Sequence, residues 1–403
     1  MDMRHILDKA DVISVEIPLS PELEVSQYLH NNYPNLRNYP ITVFKKILCK
    51  SEICYVDNLL KRLIILDALD MNECNYLTEF CKRIDTLSSG QDITSQQHRP
   101  DWLLSSWSLL DFPFLRYQPK DSGRYLTSFI FCIEDDHGRN NLGFYRGEIK
   151  NENTIAIFID PRTDASRILN KCLQNKKKAF ISLFNGGPLV NYISAASKIP
   201  DTIDSYWFSN ALSKSEIKLF KDEPYPAVPT ASEIVLYGYT EGKKILEGPF
   251  CEFKGYYSDQ TYSYEFKIDK IYTREHPYFF GIFCGKESGL NLMQFQNETF
   301  MFHHLIKKSF SIKKVIYPFD YFAEFGTIIE TEFPNLEILK IAMEYDTRSK
   351  IFFVVRNAKN LFSDLAIFNF SIRQEIYLKR GIKMGERIGI LVDNDNQYEW
   401  AEY

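Results

Sequence analysis

The chain has 403 residues, 15% of them aromatic, mostly Phe and Tyr, and a net charge of -5. This length holds two or three domains around a large core, and the acidic balance argues against nucleic acid as the main partner, because phosphate backbones bind basic faces. Eight scattered cysteines without a CxxC pair argue against a zinc knuckle or a disulfide scaffold; with an opening Met1-Asp-Met-Arg-His-Ile that lacks an apolar core, and no apolar run long enough to cross a bilayer, they lead us to expect a cytoplasmic protein with reduced thiols, no signal peptide and no membrane span.

The first hundred residues mix helix and strand signals. Residues 12–17 read as a strand, and 21–30, opening on Pro21 with apolar positions at helical spacing, as a helix. Residues 56–69 and 75–84 also suit helices, and the polar stretch 88–98 is the best linker candidate. From Pro113 short strands dominate: 125–133, 144–149, 154–159, 179–184, 233–239, 250–256, 262–268 and 279–284, with a helix over 165–174. The run Lys176 to Lys178 reads as a solvated helix end. This density of short strands predicts a barrel-like sheet domain. Beyond Lys308 strands are expected at 311–316, 338–343 and 350–355, with helices between them.

The segment Glu247-Gly-Pro-Phe-Cys-Glu252-Phe-Lys-Gly-Tyr-Tyr257 sets two glutamates around a Gly-Pro turn. Their spacing matches neither a helix face nor a strand face, so the turn must bring them together. A carboxyl pair suits a site that delivers a proton, because burial or a like charge can hold one acid protonated. An arginine suits such a site because its planar fork grips a carboxylate. Taken alone, these residues read as a polar loop with an exposed strand glutamate, and Arg146 as a surface charge.

Together with Val228-Pro-Thr-Ala-Ser-Glu-Ile-Val-Leu236, Asp121-Ser-Gly-Arg-Tyr-Leu-Thr127 and Asn141-Leu-Gly-Phe-Tyr-Arg146, this segment resembles the UbiD family of prenylated-FMN-dependent decarboxylases. The likeness covers most of residues 1–355. It implies an α+β protein: an N-terminal α/β domain (1–112), a split β-barrel flavin-binding domain (113–308) and a shortened C-terminal α/β domain (309–403). It further implies removal of CO2 from an α,β-unsaturated or aromatic acid, with Glu252 as proton donor, Arg146 as carboxylate anchor and Glu247 as its pair. Asn141, Arg162 and Lys350 fall near the cofactor phosphate. A UbiX-like flavin prenyltransferase as cofactor supplier and a homo-oligomeric state are also implied.

The family's phosphate is held through a divalent metal (Mn or Mg), with potassium nearby, on an asparagine, a histidine and a glutamate. Asn141 keeps the first position. Pro161 stands in the histidine's place, within Asp160-Pro-Arg-Thr-Asp164, and Ser205 in the glutamate's. Asp204 beside it is read as the adjacent strand residue, pointing the other way. Three outcomes stay open: Arg162 or Arg167 neutralises the phosphate directly; Asp160, Asp164 or Asp204 rebuilds a weaker metal site; or the cofactor is not bound and the chain is an inactive relative serving as a binding or assembly subunit. Glu287 is a loose counterpart of a further family glutamate. Gly285-Lys-Glu-Ser is not a P-loop, His303-His304 lacks carboxylate neighbours for a metal, and no GxGxxG marks a nicotinamide site.

Overall fold

Continuous apolar runs mark the strands Ala179–Gly186 and Ser232–Thr240, and both are buried along nearly their whole length, as expected of central strands covered on two faces. They lie side by side in a ten-stranded antiparallel sheet. The computed structural model describes residues 1–33, 38–87, 100–361, 370–379 and 382–392; the expected linker 88–98 lies outside them. The chain divides into two compact units, one of residues 1–72 and 82–292, the other of 73–81 and 293–403.

In the first unit the sheet runs in the order Tyr125–Leu126, Gly147–Ile149, Thr154–Ile157, Thr261–Thr273, Ser232–Thr240, Ala179–Gly186, Ile130–Glu134 and Asn140–Phe144. The long strand Thr261–Thr273 also pairs with Lys244–Glu247 and Leu103–Leu104. A second sheet of four strands, Val12–Val15, Ile41–Phe44, Cys54–Asp57 and Tyr278–Phe280, packs in the same core. There the aromatic content of the chain is spent on ring contacts: Phe112 stacks on Phe114 at 5.4 Å, and Phe114, Phe129 and Phe279 meet edge-on or tilted.

The second unit holds a five-stranded mixed sheet, ordered Ile312–Ile316, Gly326–Thr331, Ile351–Val355, Ile382–Val392 and Phe370–Lys379. The helix Leu336–Tyr345 packs on two of its strands. Among the described residues, no helix is long and apolar enough to cross a membrane.

Several elements differ from the sequence expectations. Residues 338–343 are helical rather than a strand, because Asn335 caps the backbone N–H groups of Glu337 and Ile338 and the buried Ile338, Leu339, Ala342 and Met343 form one helical stripe. Residues 56–69 split into the end of strand Cys54–Asp57 and the short helix Arg62–Ala68. Residues 144–149 are two strands with Tyr145 and Arg146 in the break. Residues 250–256 form a looped turn, and Tyr278–Phe280 pairs with Cys54–Asp57 rather than joining the large sheet.

Candidate functional site

The break between strands Asn140–Phe144 and Gly147–Ile149 leaves Arg146 outside the regular ladder. Its guanidinium lies over the Phe158 ring at 4.7 Å and the Phe250 ring at 5.5 Å. Strand Lys244–Glu247 ends on Glu247. There the chain turns at Gly248, whose φ of +86° suits glycine, and Gly248 N–H donates to Glu148 at 3.0 Å. The loop then doubles back: Ser258 N–H bonds Phe250 C=O, and Glu252 N–H bonds Tyr256 C=O. This fold-back carries Glu252 toward Arg146.

All three predicted catalytic side chains meet. Arg146 grips Glu247 with both prongs, Nε to Oε1 and Nη2 to Oε2, each at 3.0 Å. Its remaining Nη1 donates to Glu252 Oε1. Tyr125 OH donates to Glu247 Oε1 at 3.2 Å and Ser263 Oγ to Oε2 at 3.3 Å. Glu247 is fully buried, whereas the Glu252 side chain is 28% exposed. Burial pulls the pKa of Arg146 down, but the forked bond to Glu247 and the charges of Glu247 and Glu252 outweigh it and leave it raised. Burial, with the charges of Glu247 and Glu148, pushes the Tyr125 phenol up and keeps it a donor. Burial likewise raises the Cys284 thiol, with further contributions from Glu252 and Asp121. Tyr125, Ser263, Phe158 and Phe250 were not singled out from the sequence, because only pairing in space brings them to this point.

The predicted metal corner is occupied by other bonds. Asp204 is the N-cap of helix Ser205–Ser213 rather than a strand residue; it accepts from Tyr206 and Trp207 N–H, and from Asn140 N and Nδ2 at 2.6 and 2.9 Å. Burial raises its carboxyl pKa despite these bonds. Ser205 Oγ accepts from Leu142 N–H at 3.1 Å. Asp160 is held by Arg162 Nε at 2.8 Å, and Arg167 pairs with Asp201 at 3.1 Å and Asp164 at 3.6 Å. Among the described residues no cluster of three or more His, Cys, Asp or Glu could hold a metal. Hard divalent cations need several oxygen ligands, so this donor set does not fit one. The half-buried side chain of Asn141 has no hydrogen-bond partner among the described residues. Lys350 lies in the second unit, just ahead of strand Ile351–Val355. Glu287 accepts from Tyr39 N–H and Asn58 Nδ2, and His304 stacks on Tyr345 at 4.0 Å.

The family model for the 3-octaprenyl-4-hydroxybenzoate carboxy-lyase Rift-related domain matches residues 94–287, the stretch that supplies the whole Arg146 cluster. Residues 94–287 are thus a UbiD-family domain. One component of a 4-hydroxybenzoate decarboxylase of Chlamydia pneumoniae is 27% identical over 70% of this chain and 52% of its own length. A phenolic acid decarboxylase of Sedimentibacter hydroxybenzoicus is 25% identical over 70% of this chain and 64% of its own. The chain thus spans about half to two thirds of the length of these curated relatives. Its fold is the UbiD-like α+β fold: the UbiD-class enzyme HmfF of Pelotomaculum thermopropionicum, solved in complex with prFMN, superposes with a TM-score of 0.87 at 18% identity, over 100% of this chain and 97% of that one.

Proposed function

We propose that this chain is a decarboxylase that uses prenylated FMN to release CO2 from an α,β-unsaturated or aromatic carboxylic acid. The observation that carries the reading is the single guanidinium shared by a buried and a half-exposed glutamate. The named decarboxylases among its relatives, and the prFMN complex of HmfF, support it.

The residues fit a flavin better than a metal. Phe158 and Phe250 present aromatic surface beside Arg146, and the Asn141 side-chain amide has no hydrogen-bond partner among the described residues. Asn141 and Arg162 would hold the cofactor's phosphate, and no step is assigned to a divalent ion or to potassium. When bound, prenylated FMN supplies the electron sink for the charge left as CO2 departs.

The chain's own residues then divide the remaining work. Glu247 is held at both oxygens by four donors and is the fixed counter-ion. Glu252 makes one bond to Arg146 and is the movable one. An incoming substrate carboxylate competes for Nη1, is oriented by the planar fork, and displaces Glu252. Released from the guanidinium and 28% exposed, Glu252 takes up a proton from solvent and then delivers it to carbon after CO2 leaves. Apolar rings around Arg146 keep water away from that step and suit a flat acid. A UbiX-like flavin prenyltransferase would supply the cofactor, and a homo-oligomer is the expected assembly.

Co-expression with a flavin prenyltransferase tests this. The purified protein should be coloured and should release CO2 from acids of this class, and Glu252→Gln should abolish release while keeping the fold. The second reading, an inactive binding or assembly subunit, is favoured by one observation: Asp204 and Ser205 are committed to capping and strand contacts. A colourless protein free of flavin phosphate would select it.

A further inference from the structure

Between the two glutamates that share Arg146 lie Gly248, Pro249, Phe250 and Cys251, and the segment 118–125 grips this stretch at three points. Tyr125 OH reaches Glu247 itself. Ser122 N–H donates to the carbonyl of Pro249 at 2.9 Å. Asp121 Oδ1 accepts from Cys251 N–H at 2.8 Å. Asp121 is itself fixed: its Oδ2 accepts from Gln118 N–H at 2.8 Å, and its own N–H donates to the Gln118 carbonyl at 3.0 Å, which closes a tight turn. The residue is 1% exposed. Burial raises its carboxyl pKa, and the N–H groups of Cys251, Gln118 and Tyr117 offset part of that rise. A buried carboxylate is costly unless its oxygens are met. Here backbone donors meet both, and one of them belongs to the residue next to Glu252.

We infer that Asp121 is a positioning residue for Glu252, fixing the backbone from which the proton donor reaches the substrate. The inference rests on the decarboxylase reading above. Before substrate binds, the Arg146 guanidinium holds Glu252 directly. Once a substrate carboxylate takes Nη1, the Glu252 side chain loses that anchor, and the place of its carboxyl depends on the backbone at 251–252. The bonds beyond Cys251, from Glu252 N–H to the Tyr256 carbonyl and from Gly255 N–H to the Glu252 carbonyl, close the loop on itself. They fix its shape, whereas the bond from Cys251 to Asp121 fixes its place. The charge on Asp121 strengthens that bond. A misplacement of about 1 Å costs about 10²-fold in rate, so Asp121 acts on proton delivery through the backbone and not on the substrate.

The experiment uses the full chain co-expressed with a flavin prenyltransferase, as wild type, Asp121→Ala and Asp121→Asn. Asn335→Ala, which removes a helix cap in the second unit, is the control for lost stability. All are assayed below the onset of melting. Asparagine keeps the shape of Asp121 but has one acceptor oxygen, so it retains one of the two bonds. We expect kcat for CO2 release to fall about tenfold or more in Asp121→Ala and severalfold in Asp121→Asn. KM for the acid should stay within about twofold of wild type, because Glu247 still holds Arg146. Flavin content, and the rate of Asn335→Ala, should match wild type. In the flavin-free proteins, mass spectrometry should show amide exchange in 248–258 faster by about tenfold or more in Asp121→Ala. Unchanged kcat in either Asp121 variant overturns the inference, as does unchanged exchange in 248–258. A rise in KM as large as the fall in kcat, or an equal loss of rate in Asn335→Ala, also overturns it, since damage to the whole site or to stability would then be the cause. A wild type that releases no CO2 from any unsaturated or aromatic acid instead defeats the decarboxylase reading and the inference with it.

Discussion

Glu247 and Glu252 answer to one guanidinium, yet their surroundings make them unequal. Glu247 is buried and bonded at both oxygens, so removing it strands most of a buried cation; Glu247→Ala should cost about 3 kcal/mol or more in a denaturant melt. Glu252 is half-exposed and singly bonded, so Glu252→Gln should leave the melt within about 0.5 kcal/mol of wild type while CO2 release falls by about 10²-fold or more. Arg146→Lys keeps the charge but loses the fork, and KM for the acid should rise about tenfold or more in steady-state assays. A separate group, Asp57, is fully buried beneath Tyr39, and burial raises its carboxyl from 3.8 to about 7. A folded-state pKa raised above the unfolded one means the native state holds the proton more tightly. Stability should therefore fall as pH rises from about 4 to about 7 and level off above. Asp57→Asn should flatten that slope, with a gain of up to about 4 kcal/mol at pH 8 and none at pH 4 in paired melts.

At the scale of elements, the loop 250–258 decides whether Glu252 reaches Arg146. Its outer side rests on Gly285, where an added Cβ would lie 2.1 Å from Phe253 O and where φ is +72°. Gly285→Ala should thus push the loop away, lowering turnover severalfold and the melting temperature by several degrees; a variant with wild-type rate would show that the loop is not a rigid carrier. The sequence pattern identified most strands of the large sheet, because their apolar runs are long and bounded by turn residues. It misread 338–343 because a short apolar run suits helix and strand alike, and the deciding signal, Asn335 after Pro334, lies outside the run. It misread 250–256 because aromatic residues suggested a strand, while the bonds that shape the segment fold it back on itself.

For the whole molecule, the fold was legible through motif resemblance far more than through periodicity. Arg146 and Glu247 are 101 positions apart. They meet only because Gly147–Ile149 pairs with Thr154–Ile157, which pairs with Thr261–Thr273, which pairs with Lys244–Glu247. No local rule gives that chain of registers. The contacts that fill the metal corner were equally hidden, since Asp204 looked like a strand residue until its helix was seen to start there. With that corner committed, EDTA should leave FMN affinity unchanged within about twofold, and a manganese titration followed by electron paramagnetic resonance should show no tight site. The most direct test of the account compares CO2 release by flavin-loaded wild type and Glu252→Gln across unsaturated and aromatic acids. Release by the wild type and a loss of about 10²-fold or more in the variant are expected; equal rates in the two proteins, or a wild type that binds no flavin, would rule out Glu252 as the proton donor of a flavin-dependent decarboxylase.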